Sequence, residues 1–351
     1  MKDLKCVVWD LDETLWDGIL LEGDDLQLKP SILEILSILD SRGILLSIAS
    51  RNNFDQAMEK LKAFGIEHYF LYPEIGWGAK SVSIARIQKN LNIGMDTILY
   101  IDDQPFELDE VKLAHPSVTI IQAAKYQELT KMERLTPKMV TEVSNRRRQM
   151  YLEDQKRQSA EKEFIGPSQD FLASLNMEFK ISLAKEEDLL RAEELTFRTN
   201  QLNSTGIHYS YDDLKHLVNS PNHHLWVCEL TDKYGSYGKI GLALVEVQED
   251  AWCIRLILMS CRTVSRGVGT VMLSFLMKEA KSAGKLLRAD FHRTDRNRHM
   301  YMAYKFTNFI ETQSNENRIV FENDLTVIQE YPPYLKIVTE SIYSIEGGDV
   351  I

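Results

Sequence analysis

The sequence predicts an α/β protein in which a doubly wound parallel sheet is followed by an α+β domain with a mixed, mainly antiparallel sheet. In the first half, short apolar and β-branched segments alternate with helical segments, as in parallel sheets with crossover helices. In the second half, three strand-like segments follow one another without a helix between them, which favours an antiparallel meander. The length of 351 residues predicts two domains.

The predicted elements of the first half begin and end at recognisable signals. Helices are expected to begin at Pro30, at Phe54 and after Lys80, and Gly43 and Gly65 end the first two. Buried strands are expected at residues 6–9, 44–49, 97–101 and 118–121. This alternation is the basis for expecting a doubly wound sheet.

The second half is predicted to combine four helices with a longer set of strands. Helices are expected at 189–197, from the start signal at 210–213, at 270–282 and around Tyr304, and strands at 178–183, 225–230, 240–247, 252–259 and 286–291. A polar, helical stretch broken by Gly166-Pro167 separates the two halves. Its cluster Arg146-Arg147-Arg148 fits either a solvated helix face or a docking patch for an acidic partner. We expect a first domain over 1–125, a helical linker over 126–175, a second domain over 176–340 and a flexible tail over 341–351.

The overall composition excludes several classes of protein. The net charge of −11 argues against non-specific nucleic-acid binding. The four cysteines have no CxxC pair, which indicates reduced thiols and a cytoplasmic location. No stretch is apolar and long enough to span a membrane, and the first residues do not resemble a signal peptide.

The most informative stretch is VVWDLDETLW, in which a buried strand ends at Asp10 and Asp12. One interpretation is a helix N-cap formed by Asp12 or Thr14. A cap needs only one acid, however, and the carboxyl edge of a parallel sheet is where ligands bind. We therefore favour a phosphoryl-transfer site, with Asp10 as the nucleophile and Asp12 as the general acid and base. Mg²⁺, which prefers oxygen ligands, would neutralise charge on the phosphate.

Three further polar groups follow the other strands or the loop between them. Ser50 and Lys80 are expected to contact the phosphoryl group, and Asp102 to complete the metal site with Asp10 and the Asp12 backbone carbonyl. Asp103 is expected to support the ligands without contacting the ion, although the sequence does not rank Asp102 and Asp103 securely. Taken singly, these residues also fit a cap, a surface lysine and a turn.

This pattern resembles the haloacid dehalogenase (HAD) superfamily. The DxDxT pattern matches its first motif, and DLDETLWDGILLEG is similar to its subfamily IIIC. The resemblance implies that Asp10 and Asp12 form motif one, Ser50 motif two, Lys80 motif three, and Asp102 with Asp103 motif four. Beside Ser50, Arg51 and Asn52 are predicted to bind the substrate or its carrier.

The second half resembles the acyltransferase fold of the GNAT superfamily. The order of its elements and the loop from Ser260 to Gly269, which leads into a helix, are similar to that fold. Exposed amides at such a helix start bind anions, and a pyrophosphate or phosphopantetheine would fit. Val264 departs from the superfamily pattern, in which Gln or Arg is expected there, and this puts the use of acetyl-CoA in doubt.

Cys261 is the candidate nucleophile of this half. It follows a strand, lies beside Arg262 and precedes a helix, and such surroundings favour a thiolate. The alternative is an inert structural cysteine, as expected for Cys6, Cys228 and Cys253. His292 is a candidate base, although a histidine at a strand end is more often structural.

The whole combination resembles the FkbH-like family of glyceryl transferase/phosphatases. The motifs DLDETLWDGILLEG, IDD, FRTNQLNSTGIHYS and MSCR carry this resemblance, which runs from about residue 5 to about residue 310. It implies that a glyceryl group from 1,3-bisphosphoglycerate is loaded onto Cys261, loses its phosphate at Asp10, and passes to the phosphopantetheine thiol of an acyl carrier protein for polyketide-type biosynthesis. The residues expected to bind the substrate or the carrier arm are Thr199, Asn200, Gln201, Asn203, Arg262, Arg266, Gly267, Gly269 and Asn297.

Besides an N-acetyltransferase, which CoA-thiol release with amine substrates would test, two other functions are compatible with the sequence. One is a Mg²⁺-dependent phosphatase whose second half binds CoA or a carrier without covalent chemistry. The other is a carrier-binding scaffold without activity, which the complete set from Asp10 to Asp102 argues against. The loop 293–297 also differs from the corresponding string of the FkbH-like family, so the acyl donor could be another small acyl phosphate.

Overall fold

The computed structural model describes residues 3–137, 140–199 and 201–340, apart from the side chains of Glu142 and Cys261. It divides into two compact units, 1–156 and 157–351. The division falls inside the predicted helical linker. The predicted tail over 341–351 and the candidate residue Asn200 lie outside the described residues.

The first unit is built on a five-stranded parallel sheet with helices between its strands. Its strands are β1 (Cys6–Trp9), β2 (Trp16–Asp17), β3 (Gln27–Leu28), β4 (Leu45–Ser50), β5 (Glu74–Ile75), β6 (Ile98–Asp102) and β7 (Thr119–Gln122). Its helices are α1 (Ile32–Ser41), α2 (Phe54–Ala63), α3 (Lys80–Leu91), α4 (Pro105–Ala114), α5 (Glu142–Asn145) and the first part of α6 (Arg147–Glu163). β2 and β3 form a separate hairpin between β1 and α1.

The strand order β5-β4-β1-β6-β7 places β1 at the centre of the sheet, with β4 and β6 as its parallel neighbours. Every residue of β1 is buried, because its alternate side chains enter two separate apolar cores on the two faces of the sheet. The chain leaves β1 toward β4 on one side and reaches β6 on the other, so the carboxyl end of β1 is a topological switch point. The predicted doubly wound parallel sheet is confirmed.

Two of the three clustered arginines have structural partners within the first unit. Arg147 is buried and donates to the Gly43 carbonyl at 2.8 Å, and Arg148 pairs with Asp40 at 2.9 Å. Neither forms the solvated face or the free docking patch that the sequence suggested, because the two guanidinium groups bind the start of α6 to the last turn of α1 and to the glycine just beyond that helix.

The second unit contains an eight-stranded mixed sheet with the order β13-β14-β12-β11-β10-β9-β8-β15. Its strands are β8 (Met177–Leu183), β9 (His223–Asp232), β10 (Gly235–Val247), β11 (Ala251–Met259), β12 (Leu286–His292), β13 (Ile310–Ser314), β14 (Arg318–Asn323) and β15 (Leu335–Thr339). Its helices, after the end of α6, are α7 (Ser168–Ser174), α8 (Leu189–Arg198), α9 (Tyr211–Val218), α10 (Val268–Ser282) and α11 (Arg298–Phe306). The predicted antiparallel meander is β9-β10-β11, and the sheet is mixed and mainly antiparallel, as the sequence predicted.

β11 and β12 are parallel neighbours that pair only over their first residues, up to Ile254 and Ala289. Beyond that point, residues 202–204 lie between the two strands. The Ser204 carbonyl accepts the backbone N–H of His292 at 2.9 Å, and the Ser204 N–H donates to the Ile257 carbonyl at 2.9 Å. The backbone N–H of Met259 donates to the Leu202 carbonyl, also at 2.9 Å. The polar run after α8 therefore closes the gap between these strands.

Among the described residues, the structure contains no helix that is both long enough and apolar enough to cross a membrane.

Candidate functional site

The carboxyl ends of β1, β4 and β6 and the start of α3 bring four predicted site residues to one place. Asp10 follows β1, Ser50 ends β4, Asp102 ends β6, and Lys80 begins α3. All four residues are at least nine-tenths buried. Such a concentration of buried charge requires internal compensation.

Lys80 provides that compensation. Its ammonium nitrogen lies 2.5 Å from Asp10 Oδ1, 2.9 Å from the Ala49 carbonyl and 3.1 Å from Asp102 Oδ2. Burial acts to lower the pKa of Lys80, but Asp10 and Asp102 outweigh it, so the pKa is raised and the group stays charged. The single positive charge of Lys80 therefore offsets part of the negative charge of the two carboxylates.

Asp10 remains difficult to ionise in spite of Lys80. Burial raises its pKa to about 6, and the Asp102 charge acts in the same direction, while Lys80 and a hydrogen bond from Ser50 oppose them. A more positive site would favour the ionised form of this carboxylate, which is the form that a nucleophile needs.

Asp10, Asp102 and Asp103 form the group in the described part of the chain that could hold a metal ion, with one oxygen of each within 4.8 Å of the others. Three carboxylates with a single lysine leave an excess of negative charge in a largely buried place. A hard divalent cation that prefers oxygen ligands fits this donor set.

The two neighbouring acids of motif four are not equivalent. Asp102 Oδ1 accepts the Gln104 backbone N–H at 2.8 Å, and Oδ2 accepts hydrogen bonds from Lys80 and from the Tyr100 hydroxyl. Asp103 is only partly buried, and its pKa is raised by burial and by Asp102. Asp102 Oδ1 accepts a single hydrogen bond and keeps one lone-pair position, and Asp103 is the more accessible of the two carboxylates, so both can offer an oxygen to a cation.

Asp12 faces a different set of partners. Its Oδ1 accepts from the Trp16 indole at 2.8 Å and from the Leu20 backbone N–H at 3.1 Å. Its Oδ2 accepts from the Asn52 amide at 2.9 Å. The loops after β1 and β4 therefore fix both oxygens of this carboxylate.

Arg51 is the more accessible neighbour of Ser50. Its side chain is 41% exposed, and its Nη1 lies 3.2 Å from Glu107 Oε1. Glu107 is itself buried in the first turn of α4, so Arg51 is held at the start of this helix with part of its surface free for an anionic group.

The predicted binding residues after α8 occupy contrasting positions. Gln201 is exposed, whereas Thr199 is buried and Asn203 is fully buried. The Asn203 side chain donates to the Thr199 carbonyl at 3.2 Å and accepts from the backbone N–H groups of Thr205 and Gly206. Asn203 therefore holds the turn that fills the gap between β11 and β12.

Asn297 reinforces the same turn from the other side. Its amide donates to the carbonyls of Asn203 at 3.0 Å and His292 at 2.8 Å, and its oxygen accepts from Thr294. The sequence predicted that Asn203 and Asn297 bind the substrate or the carrier arm. In the structure, both side chains form hydrogen bonds with backbone groups of the protein. His292 ends β12, where its backbone N–H binds Ser204.

The loop before α10 presents a candidate anion site. Arg266 is buried, and its Nη2 lies 3.5 Å from Glu161 Oε2, whereas its Nε and Nη1 have no hydrogen-bond partner among the described residues. It precedes Gly267, whose φ of 77° suits glycine, and no side chain caps α10. Gly269 has open space around it, and Arg262 donates to the Tyr237 carbonyl at 3.4 Å.

Cys261 opens the 3-10 turn that links β11 to α10, and its side chain lies outside the described residues. Its surroundings therefore stay a prediction from the sequence.

Sequence reasoning missed two residues of the first site. Tyr100 binds Asp102 from the same strand, and Glu107 holds Arg51. The spacing of Tyr100 and Asp102 places them on one face of β6 and could have indicated this contact. Glu107 carries no comparable signal, because its partner lies on a different loop.

Comparison with known proteins gives partial matches. No family model matches the chain. Human magnesium-dependent phosphatase 1 is 30% identical to it, over 28% of this chain and 68% of the human protein.

Two solved structures match different parts of the chain. The N-terminal part of a Bacteroides fragilis protein, which contains a phosphatase domain complexed with Mg, has 29% identity and a TM-score of 0.32. The match covers 36% of this chain and 39% of the Bacteroides fragilis chain, so it spans less than half the length of that structure. The ribosomal-protein-S18-alanine N-acetyltransferase of Escherichia coli has 16% identity and a TM-score of 0.35, over 43% of this chain and 97% of that one.

Proposed function

This chain belongs to the magnesium-dependent phosphatases of the HAD superfamily, and from this premise we propose that it is a bifunctional glyceryl transferase/phosphatase. The observation that carries the proposal is the buried cluster of Asp10, Lys80 and Asp102 at the switch point of the parallel sheet, with Asp103 beside it. Asp10 and Asp12 supply the nucleophile and the proton-transfer group that removal of a phosphoryl group requires.

The acidic cluster would hold Mg²⁺ through Asp10, through Asp102 or its neighbour Asp103, and through the Asp12 backbone carbonyl. The ion supplies positive charge that lowers the repulsion between the phosphate and the carboxylate nucleophile. Lys80 and Ser50 orient Asp10, and Lys80 also offsets the charge of Asp102.

The chain's own residues account for both halves of phosphate removal. Asp10 attacks phosphorus while Asp12 gives a proton to the departing oxygen, and Asp12 then takes a proton from the water that releases phosphate. Arg51 is placed to bind another anionic group of the substrate, since its side chain is partly exposed and fixed by Glu107.

The second unit supplies the acyl transfer. Cys261 is the proposed thiol that accepts the glyceryl group from 1,3-bisphosphoglycerate, with His292 as the candidate base. The phosphopantetheine arm of an acyl carrier protein would lie at the start of α10. The unpartnered donors of buried Arg266 and the uncapped helix amides support an anionic ligand there.

The same anion site favours one alternative, a phosphatase whose second unit binds CoA or a carrier without forming a thioester. Arg266 and the start of α10 would bind a phosphate-bearing arm whether or not Cys261 reacts. The two functions therefore differ in the covalent step alone.

Intact-protein mass spectrometry tests the proposal. The full chain is mixed with Mg²⁺ and 1,3-bisphosphoglycerate generated in place, then digested and mapped. We expect a glyceryl adduct on Cys261 in the wild type and a phosphoglyceryl adduct at the same residue in Asp10→Asn. Cys261→Ala should remove the adduct, and Cys253→Ala, a change at a buried cysteine of β11, should retain it. Phosphate release without an adduct on any cysteine would exclude acyl transfer and favour the alternative.

A further inference from the structure

The Asp12 carboxylate is held unequally by its surroundings. Oδ1 accepts two hydrogen bonds, from the Trp16 indole and the Leu20 backbone N–H. Within the described residues Oδ2 accepts one, from the Asn52 amide. A carboxylate oxygen has two lone-pair positions. Both positions of Oδ1 are therefore occupied, and one position of Oδ2 stays available.

We propose that Asn52 is a positioning residue that makes Oδ2 the oxygen through which Asp12 transfers protons. The inference rests on the proposed phosphatase function and adds the atom that moves the proton and the group that directs it. The hydrogen bond from Asn52 prevents the Asp12 carboxylate from rotating about its bond to Cβ. The remaining lone pair of Oδ2 therefore points in a fixed direction.

The atoms of the reaction balance with this assignment. As Asp10 bonds to phosphorus, the bond from phosphorus to the leaving oxygen breaks, and that oxygen takes the proton from Asp12 Oδ2. The products are an alcohol, phospho-Asp10 and an Asp12 carboxylate. Water then bonds to phosphorus and gives its proton back to Oδ2, and the bond between Asp10 and phosphorus breaks. Phosphate leaves, and both residues return to their starting state.

The position of Asn52 beside Ser50 suggests that it binds the substrate, but its side chain is poorly placed to do so. The residue is 1% exposed. Its amide nitrogen donates to Asp12, and its oxygen accepts the Asn53 backbone N–H at 3.1 Å. Since both ends of the side chain have protein partners, its effect on the reaction passes through Asp12.

The test compares two substrates that differ in the acidity of the leaving group but have a similar shape. Phenol, with a pKa of about 10 like the tyrosine side chain, needs a proton on departure far more than p-nitrophenol does. kcat/KM reports the step in which the leaving group departs. It is measured with Mg²⁺ for phenyl phosphate and p-nitrophenyl phosphate in the full chain.

Asn52→Leu removes the amide while nearly keeping the side-chain volume. We expect its kcat/KM to fall at least ~10-fold more for phenyl phosphate than for p-nitrophenyl phosphate, as general acid catalysis contributes ~10²–10⁴-fold. Asp12→Asn gives the upper limit of this selective loss. Trp16→Phe, which removes a donor to Oδ1, should show the same direction and serves if Asn52→Leu folds poorly.

Asn53→Ala is the matched structural control. Asn53 is the next residue and caps α2 by accepting the Gln56 backbone N–H at 3.1 Å. Its loss should lower the unfolding temperature without changing the ratio of the two kcat/KM values.

Two results would overturn the inference. An equal fall for both substrates in Asn52→Leu and Trp16→Phe would assign these residues to substrate binding or to stability alone. An unchanged ratio together with full activity would show that Asp12 needs no positioning by Asn52. Failure of the wild type to release phosphate from either substrate would instead contradict the proposed phosphatase itself.

Discussion

Asp102 and Asp103 are adjacent in the sequence, yet their carboxylates have different surroundings. Both oxygens of Asp102 accept hydrogen bonds from protein groups, including Lys80 and Tyr100. Asp103 belongs to the same acidic cluster and remains partly accessible. The sequence could not rank the two, because the difference arises from the loop geometry after β6 and from a lysine 22 positions away.

We therefore expect Asp103→Asn to weaken Mg²⁺ binding directly. The Mg²⁺ concentration that gives half-maximal phosphate release should rise at least ~10-fold, the size of effect found for groups that support metal ligands. The measurement is a Mg²⁺ titration of phosphate release from p-nitrophenyl phosphate. Asp55→Asn, a change at an exposed carboxyl in the first turn of α2, should leave the titration unchanged. An unaltered midpoint in Asp103→Asn would assign the metal to the other carboxylates.

At the scale of elements, the parallel strands and the positions of Asp10, Ser50 and Asp102 follow from local patterns. A short apolar segment that stops at a polar residue is visible without knowledge of the fold, and the strand ends then share one edge of the sheet. The turn from Thr199 to Ser204 is the opposite case. Its hydrogen-bond partners lie on β11 and β12, more than 50 residues away, so no local pattern distinguishes a structural turn from a binding loop.

The turn around Asn203 gives a stability prediction. Asn203→Ala removes three hydrogen bonds and leaves buried backbone groups unpaired. We expect the free energy of unfolding to fall by about 2–4 kcal/mol, because each buried unpaired group costs ~1–3 kcal/mol. The measurement is chemical denaturation followed by circular dichroism.

Gln201→Ala provides the control at an exposed neighbouring position, where a change of within ~0.5 kcal/mol is expected. Equal stability of Asn203→Ala and Gln201→Ala would contradict the structural assignment of the turn.

At the scale of the whole molecule, each unit has its own apolar cores. Leu276→Ala opens a cavity in the core of the second unit, where this leucine of α10 is fully buried. Such changes cost ~2–5 kcal/mol. We expect the thermal transition of the second unit to fall by several degrees while phosphate release at 25 °C persists.

Calorimetry and a phosphate-release assay on the same sample check this prediction. Leu190→Ala, a change at a half-exposed leucine of α8, is the control and should leave the transition nearly unchanged. Loss of phosphate release in Leu276→Ala under conditions where the first unit stays folded would show that the phosphatase site depends on the second unit.

The central claim is that Asp10 is the nucleophile of a magnesium-dependent phosphatase. The most direct measurement is phosphate release from p-nitrophenyl phosphate by the full chain, with Mg²⁺ or with EDTA, beside Asp10→Asn. The account predicts turnover that needs Mg²⁺ and that falls by at least ~10³-fold in Asp10→Asn, since a covalent route has lost its attacking atom. Turnover that survives EDTA, or that persists in Asp10→Asn, would contradict it.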